Sequence, residues 1–317
     1  MPQSRRRPAA LRTAAAVMVG VGLLGALAGC SHDDAGSADP EPGSASPAPP
    51  SAVDRQPMTP QQARQDTGRI YDNGCYAKRE DSTPPAPGEC VYGDPGGRSV
   101  VLFGDSHAAQ WFEAMAALAE QQGWRLLPVV KMACPPGGEA VYNANLGREY
   151  TECADWHADA MRLVASERAE LVVVATRAGY YRIVDEGETL SVEESADRLG
   201  DALAEDLRRF AGTGATPVLI RDTPVPGFDV PDCVETDGAD ACTYSFGASL
   251  PDDRYQVTAA EATETSVADI NAEVCGDATR CLAMADGLIT FRDDDHLAAT
   301  FGASLAGALG AELPAGS

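Results

Sequence analysis

The stretch "SVVLFGDSHAAQW", residues 99–111, joins a predicted strand to a predicted helix. Its apolar first half has the length and composition of a strand that is buried on both faces of a sheet. Its second half starts a pattern of apolar residues at helical spacing, which continues to residue 122. Binding sites in parallel sheets form beyond the carboxyl ends of the strands. Ser106 is therefore predicted to lie at such a site, either as a nucleophile or, like Asp105, as a residue that caps the helix.

Short apolar runs alternate with amphipathic segments through the rest of the chain. The predicted strands are 99–104, 125–130, 171–176 and 216–221. The predicted helices are 106–122, about 153–168, 191–212 with a capping box formed by Ser191 and Glu194, about 258–273, and 297–309. Regular alternation of strand and helix predicts an α/β domain with a mainly parallel, doubly wound sheet.

The N-terminal segment has the pattern of an export signal. Arginines at 5–7 precede an apolar segment from about Ala14 to Ala28, which ends in "LAGC", residues 27–30. A charged start, a short apolar stretch and small residues at the cut are typical of signal peptides. A cysteine directly after them resembles the bacterial lipoprotein signal. We therefore expect lipid on Cys30 and an extracytoplasmic protein anchored to the cell membrane, with a transmembrane anchor as the alternative.

Three segments are predicted from this pattern. Residues 1–29 are a lipoprotein signal peptide, and residues 59–317 are the α/β domain. Residues 30–58 are rich in Ser, Ala, Pro, Asp and Gly and cannot bury enough surface to fold, so they are predicted to be a lipid-anchored disordered linker.

The net charge excludes one class of partner. The chain has 48 acidic and 24 basic residues, which gives a formal net charge of −24. Such a surface repels phosphate backbones, so nucleic acid is not an expected partner.

The cysteines indicate disulfides. Apart from Cys30 there is an even number, and an even number in an exported chain is typical of disulfide bonding. The sequence leaves the connectivity open. Our hypothesis pairs nearest neighbours: Cys75 with Cys90, Cys134 with Cys153, Cys233 with Cys242, and Cys275 with Cys281. Their spacings differ from the short paired spacings of zinc sites, so neither a metal nor another cofactor is predicted.

A serine nucleophile needs a base, which is usually histidine. Of the four histidines, His32 lies in the linker, His107 adjoins the serine on a helix and points away from it, and His157 is predicted to be structural. His296 remains, in "FRDDDHLAATFG". Asp293, three residues before it, has the offset needed to fix one histidine tautomer. An acidic helix start and a calcium site that includes Asp294 and Asp295 are the alternatives for these acids.

The motifs "GDSHAAQW" and "DDDHL" together resemble the SGNH/GDSL hydrolase superfamily. The closer resemblance is to the SGNH domain fused to membrane acyltransferases of the acyltransferase-three family, through "CPP" at 134–136, "CADW" at 153–156 and "TPVPGF" at 223–228. It covers about residues 75–309. It implies a three-layer α/β/α sandwich of the SGNH/flavodoxin-like kind and a triad that acts on acyl esters, often of cell-envelope glycans. By motif position Ser106 matches the nucleophile, His296 the base and Asp293 the orienting acid.

The oxyanion hole of that superfamily has no clear counterpart. After the third apolar run this chain reads "TRAG", residues 176–179, where the superfamily has a Gly-x-Asn-Asp motif. Arg177 is the candidate for stabilising negative charge or binding a substrate oxygen, with a surface ion pair as the alternative. Gly137 or Gly138 is the candidate for the missing glycine, beside the N–H of Ser106.

The resulting hypothesis is an extracytoplasmic serine O-acyltransferase or carbohydrate esterase. Its expected partner is an acylated or acyl-accepting cell-envelope glycan. After the signal the sequence has no apolar stretch long enough to span a bilayer. A transferase would therefore be supplied by a separate membrane acyltransferase. The alternative is a non-catalytic, glycan-binding surface lipoprotein on the same scaffold, which the incomplete oxyanion hole favours.

Overall fold

The computed structural model describes residues 56–315. The predicted signal peptide, the predicted lipidation site Cys30 and most of the predicted linker lie outside the described residues. Within residues 56–315, no helix combines the length and the apolar character required to cross a membrane.

A seven-stranded sheet forms the centre of the fold. Its strands are β1 Tyr76–Ala77, β2 Tyr92–Gly93, β3 Arg98–Gly104, β4 Trp124–Lys131, β5 Leu171–Ala175, β6 Thr216–Ile220 and β7 Ser266–Ala268. The order is β1-β4-β3-β5-β6-β7 with every neighbouring pair parallel, and β2 pairs with β4 in the antiparallel direction. Because the chain builds outward on both sides of β3, the sheet is doubly wound, as predicted.

Helices and short hairpins connect these strands. The α-helices are α1 Pro60–Gln65, α2 Ser106–Ala109, α3 Phe112–Gln122, α4 Thr151–Glu167, α5 Val192–Gly212, α6 Val230–Asp237, α7 Phe246–Ser249, α8 Arg254–Thr263, α9 Asn271–Cys275, α10 Ala299–Ser304 and α11 Ala306–Glu312. Single 3₁₀ turns cover Arg69–Tyr71 and Pro87–Glu89. The hairpins pair Tyr142–Asn143 with Arg148–Glu149, Val184–Asp185 with Glu188–Thr189, and Met284–Ala285 with Leu288–Ile289. A separate antiparallel pair joins Tyr244–Ser245 to the distant Arg280–Cys281.

The helices form a layer on each face of the sheet. Phe103 of β3 packs against Trp156 of α4 and Phe210 of α5, with ring centroids 6.1 and 5.2 Å apart, and α8 packs on α5. The other layer is α3, which packs on β4 and on α10 and α11. Right-handed crossovers on the two sides of β3 require these two layers to lie on opposite faces. The three-layer α/β/α sandwich is therefore confirmed.

The predicted helix over 258–273 is wrong. The chain forms α8, then strand β7, then α9. Glu264 adopts a left-handed conformation, with φ at +53°, and ends α8. The following residues extend and pair with β6. Pairing with an open sheet edge outweighs the helical pattern there, because it satisfies backbone groups that would otherwise lack partners.

Two other predicted helices are interrupted. The segment 106–122 is divided between α2 and α3, where the N–H of Trp111 bonds to the carbonyl of Ala108 in a tight turn. The segment 297–309 is divided into α10 and α11 at Leu305. The capping box at Ser191 and Glu194 is present as predicted, at the start of α5.

Four disulfides brace the connections between elements. They pair Cys75 with Cys90, Cys134 with Cys153, Cys233 with Cys242, and Cys275 with Cys281. The nearest-neighbour hypothesis is confirmed in full. The Cys134–Cys153 bond ties the segment after β4 to α4.

Candidate active site

The site is built where β3 and β5 end side by side. Gly104, the last residue of β3, has φ at +146°. A Cβ atom at this position would overlap the carbonyl oxygen of Ala175 at the end of β5. Glycine is required here because only a residue without a side chain lets the two strand ends approach this closely. The loops after β3 and β5 therefore begin at one edge of the sheet, at the point where the winding direction reverses.

Asp105 binds these two loops together. It is the N-cap of α2, since its Oδ1 accepts the N–H of His107 at 2.7 Å. Its Oδ2 accepts the Thr176 hydroxyl at 2.7 Å, the Arg177 N–H at 2.8 Å and the Tyr181 hydroxyl at 2.7 Å. The carboxylate is fully buried, so these bonds replace its lost hydration.

Ser106 is the first residue of α2. Because Asp105 supplies the cap, the Ser106 side chain is not needed for capping. Its N–H occupies a position that has no partner inside the helix. Asp105, and not Ser106, therefore caps the helix, and the interpretation of Ser106 as a nucleophile stays open.

Asp293 and Asp295 hold His296. Asp293 Oδ1 accepts the backbone N–H of Asp295 at 3.0 Å and that of His296 at 2.6 Å, which closes a tight turn. His296 Nδ1 lies 3.0 Å from Asp293 Oδ2 and 2.6 Å from Asp295 Oδ1. Two carboxylates therefore face one ring nitrogen and fix the tautomer that carries its proton there. Asp293 holds the histidine as expected, and Asp295 adds a contact that the sequence interpretation did not include.

The two carboxylates change the titration of the histidine. Burial lowers the pKa of His296, but the hydrogen bonds that its ring N–H donates to Asp293 and Asp295 outweigh burial and raise this pKa from 6.5 to about 9. Burial raises the pKa of Asp295, but His296, His107 and Arg177 together bring it below its usual range. The pair is therefore stabilised in its charged form.

Ser106 and His296 line one cavity of about 270 Å³. Its other lining residues are aromatic, cationic or uncharged: Tyr71, Tyr76, Arg79, Met132, Ala133, Asn145, Arg177, Tyr180, Tyr181 and Arg292. His296 Nε2 is buried and has no hydrogen-bond partner among residues 56–315. The second ring nitrogen is thus free to exchange a proton with a group in the cavity.

A second histidine–carboxylate pair lies behind the first. His107 Nδ1 is 2.6 Å from Asp222 Oδ1, and both side chains are 1% exposed. Asp222 Oδ2 accepts the N–H of Ala178 at 2.7 Å. His107 Nε2 lies 4.0 Å from Asp295 Oδ2, and the rings of His107 and His296 are 5.0 Å apart. The sequence interpretation missed this pair. The sequence feature that could have indicated it is the position of Asp222. This acid lies two residues after strand β6, at the carboxyl edge of the sheet where sites form.

Arg177 lies at the cavity and also forms an ion pair. Its Nη2 is 2.6 Å from Asp295 Oδ2, and its guanidinium lies 4.0 Å from the Tyr180 ring centroid. Arg177 therefore forms the ion pair that one alternative expected, and it also lines the cavity. A role in binding a substrate oxygen stays a prediction. The arginine still has N–H groups for a ligand, because a guanidinium carries five.

Gly137 and Gly138 are not brought to this cavity, so the expectation that Gly137 supplies an oxyanion donor is corrected. Its N–H donates to Asp206 Oδ2 on α5 at 2.6 Å. His157 bonds to the same carboxylate through Nε2 at 2.7 Å and packs closely on Gly138. These contacts are consistent with a structural role for His157.

The acids of "DDDHL" come close enough to one another to hold a cation. Oxygens of Asp293, Asp294 and Asp295 lie within 4.8 Å. Two of the three carboxylates, however, already contact protein donors. Asp293 accepts two backbone N–H groups, and Asp295 pairs with Arg177. The geometry therefore favours holding His296 over binding calcium.

The comparisons with known proteins agree with this architecture. The family model described as "SGNH domain (fused to AT3 domains)" matches residues 74–310. No curated protein sequence matches the chain. Among solved structures, the periplasmic domain of a lipopolysaccharide acetyltransferase from Salmonella ser. Paratyphi A aligns with a TM-score of 0.57 and 12% identity, over 80% of this chain and 96% of that one. At this identity the likeness shows the fold alone. With the family match over most of its length, the chain belongs to the SGNH domain family found fused to AT3 domains.

Proposed function

We propose that this protein is an extracytoplasmic serine enzyme that moves an acyl group, most simply acetyl, as an O-acyltransferase or esterase of cell-envelope glycans. One observation carries the proposal. Ser106 shares a cavity with His296, whose Nδ1 contacts two carboxylates and whose buried Nε2 has no partner within the described chain. A serine nucleophile needs a base of this kind, with its tautomer fixed and its second ring nitrogen available, in the same cavity.

The proposed reaction has two halves. Ser106 Oγ attacks the acyl carbonyl while His296 Nε2 accepts the hydroxyl proton. The tetrahedral intermediate then collapses, the alkoxide leaves with that proton, and the acyl group stays on Ser106. In the second half, water or a sugar hydroxyl gives its proton to His296 and attacks the acyl-enzyme. The serine is regenerated when the proton returns to its oxygen.

The developing oxyanion needs donors near Ser106. The Ser106 N–H is one candidate, because it is the first N–H of α2. Arg177 and Asn145 line the same cavity and offer a guanidinium and an amide. Asn145 was not among the residues singled out from the sequence. It lies in the loop of the hairpin that joins Tyr142–Asn143 to Arg148–Glu149.

The acyl donor and the compartment follow from the family context. AT3 domains, to which this family is found fused, are membrane acyltransferases, so we propose that a separate membrane acyltransferase supplies the acyl group. Four disulfides support an oxidising, extracytoplasmic location. Lipid on Cys30 would keep the domain near the membrane.

Release of p-nitrophenol from p-nitrophenyl acetate tests the chemistry. We expect activity from the unmodified protein and a loss of about a thousandfold or more in Ser106→Ala and in His296→Ala. Ser304→Ala, a serine outside the cavity, is the matched control. Acylation should add the mass of one acetyl group to a peptide that contains Ser106. An acceptor oligosaccharide then separates the two outcomes, because a transferase yields acetylated sugar and an esterase yields only acetate.

The second candidate is a non-catalytic glycan-binding protein on the same scaffold. It is favoured by the use of the Gly137 N–H elsewhere, which leaves one backbone donor identified for the oxyanion. Equal rates in unmodified protein, Ser106→Ala and His296→Ala, with no acylated peptide, would establish this candidate in place of the enzyme.

A further inference from the structure

The cavity at Ser106 is cationic although the chain as a whole is strongly acidic. Arg79, Arg177 and Arg292 line it, and no carboxylate from residues 56–315 does. Two of the three guanidinium groups are matched by acids behind the cavity wall. Arg177 pairs with Asp295 at 2.6 Å, and Arg292 lies 3.6 Å from Asp293. Those two positive charges are therefore largely neutralised in the protein.

Arg79 has no such partner. No carboxylate of the described residues lies within 4.0 Å of its guanidinium. Its Nε is buried and makes no hydrogen bond in the part of the chain that the structure covers. A buried donor without an acceptor costs free energy unless something else accepts from it.

The segment that carries Arg79 is held firmly in place. Buried Lys131 donates to the carbonyl of Lys78 at 2.6 Å, of Arg79 at 3.2 Å and of Asp81 at 2.6 Å. The Cys75–Cys90 disulfide closes the same loop. The backbone that carries the guanidinium is therefore preorganised, which lowers part of the ordering cost of binding.

We propose that the sugar bound at Ser106 carries an anionic group, a carboxylate or a phosphate, and that Arg79 binds it. A guanidinium matches both oxyanions in a bidentate geometry. The aromatic side chains of Tyr71, Tyr76 and Tyr180 line the same cavity and offer faces on which a sugar can pack. The inference rests on the proposed function, because it names the substrate class of the same site.

Matched ester pairs test the inference. O-acetylated glucuronic acid is compared with O-acetylated glucuronamide, which has the same shape and no charge. O-acetylated glucose 6-phosphate is compared with O-acetylated glucose. We expect kcat/KM for acetate release to be about tenfold or more higher for the anionic member of at least one pair. The pair that responds identifies carboxylate or phosphate as the recognised group. Equal values within both pairs would overturn the inference.

The preference must depend on Arg79. Arg79→Gln should bring the anionic-to-neutral ratio close to one, and Arg79→Lys should retain part of it. Arg182→Gln is the matched control, because Arg182, like Arg79, has no carboxylate within 4.0 Å among the described residues, but does not line the cavity. An anionic preference that survives in Arg79→Gln, with its melting temperature unchanged, would contradict the assignment.

Failure of the inference is distinguishable from failure of the proposed function. If no acetylated substrate is turned over, calorimetric binding of glucuronic acid, glucuronamide and glucose 6-phosphate to the unmodified protein replaces the kinetic ratio. Tighter binding of an anionic sugar that is lost in Arg79→Gln would support the site without catalysis. Equal binding of charged and neutral sugars would overturn it.

Discussion

Asp295 connects the charged groups of the site. One oxygen contacts His296, and the other contacts Arg177 and faces His107. Asp293 and Asp295 together favour the imidazolium form of His296, and burial and the nearby Arg292 oppose them by lowering the pKa of His296. The basicity of the proposed general base is thus set by the balance between two carboxylates on one side and burial and a cation on the other.

This balance makes the activity strongly dependent on pH. His296 accepts a proton only when neutral, and its pKa is raised to about 9. We therefore expect kcat/KM for ester hydrolysis to rise about tenfold per pH unit through the neutral range and to level off near pH 9. Asp295→Asn removes a charge that stabilises the imidazolium, so the inflection should move down by about one to three pH units. An inflection near 6.5 in the unmodified protein would contradict this prediction.

Asp105 is expected to matter for stability as much as for the site. Asp105→Asn replaces one carboxylate oxygen with an NH₂ group, which cannot accept the bonds that Asp105 now receives. We expect the free energy of unfolding to fall by about 3 kcal/mol, measured by urea denaturation. Exposed Asp94→Asn, which affects a single turn bond to Gly96, is the control and should change it by about 0.5 kcal/mol or less. Equal effects would show that the buried bonds contribute little.

At the residue level the sequence identified the residues whose positions follow from local rules. Ser106 lies directly after a strand, and the Asp293 turn onto His296 spans three residues. The contacts of Asp105 with Tyr181 and of His107 with Asp222 join residues far apart in sequence. No periodicity or short motif encodes them, since they arise only when strand order brings the loops together.

At the scale of elements, the strands were more predictable than the helices. The four predicted strands lie in the sheet interior, where apolar runs are bounded by polar turns. Strand β7 was missed because Ser266–Ala268 is an edge strand of only 3 residues, which is too short to show a strand pattern of its own. Its structure is determined by the open side of β6, which is a tertiary feature. The helix breaks at Gln110–Trp111 and at Leu305 could not be predicted either, because the apolar pattern continues across both of them.

The contact of β3 with β5 is the element-level feature on which the site depends. Gly104→Ala should lower the free energy of unfolding by about 3 kcal/mol or more, because its Cβ would overlap the Ala175 carbonyl oxygen. Gly123→Ala is a matched control: Gly123 also has a positive φ, +65°, but a Cβ there meets nothing within 4 Å. Its cost should be the backbone strain alone, about 1 to 2 kcal/mol. Equal costs in urea denaturation would show that the overlap relaxes.

Across the whole molecule, long-range and local electrostatics oppose each other. The net charge of −24 repels anions at a distance, while the cavity at Ser106 presents a guanidinium without a carboxylate partner in the described structure. Salt weakens these two effects unequally. Mobile ions screen exposed charges over about 10 Å at 0.1 M, and they screen partly buried pairs much less.

We therefore expect catalysis on an anionic ester to become faster, not slower, as the salt concentration rises. For an anionic ester, kcat/KM should rise about twofold or more between about 0.01 and 0.15 M salt, because the repulsion by the acidic surface is screened while the contact with Arg79 persists. For the neutral amide counterpart it should stay constant. In Arg79→Gln, kcat/KM for the anionic ester should start from a lower value but still rise with salt, because the repulsion is a property of the whole chain. A fall in kcat/KM with salt for the anionic ester would mean that local attraction governs the encounter, and the acidic surface would then have no part in substrate selection.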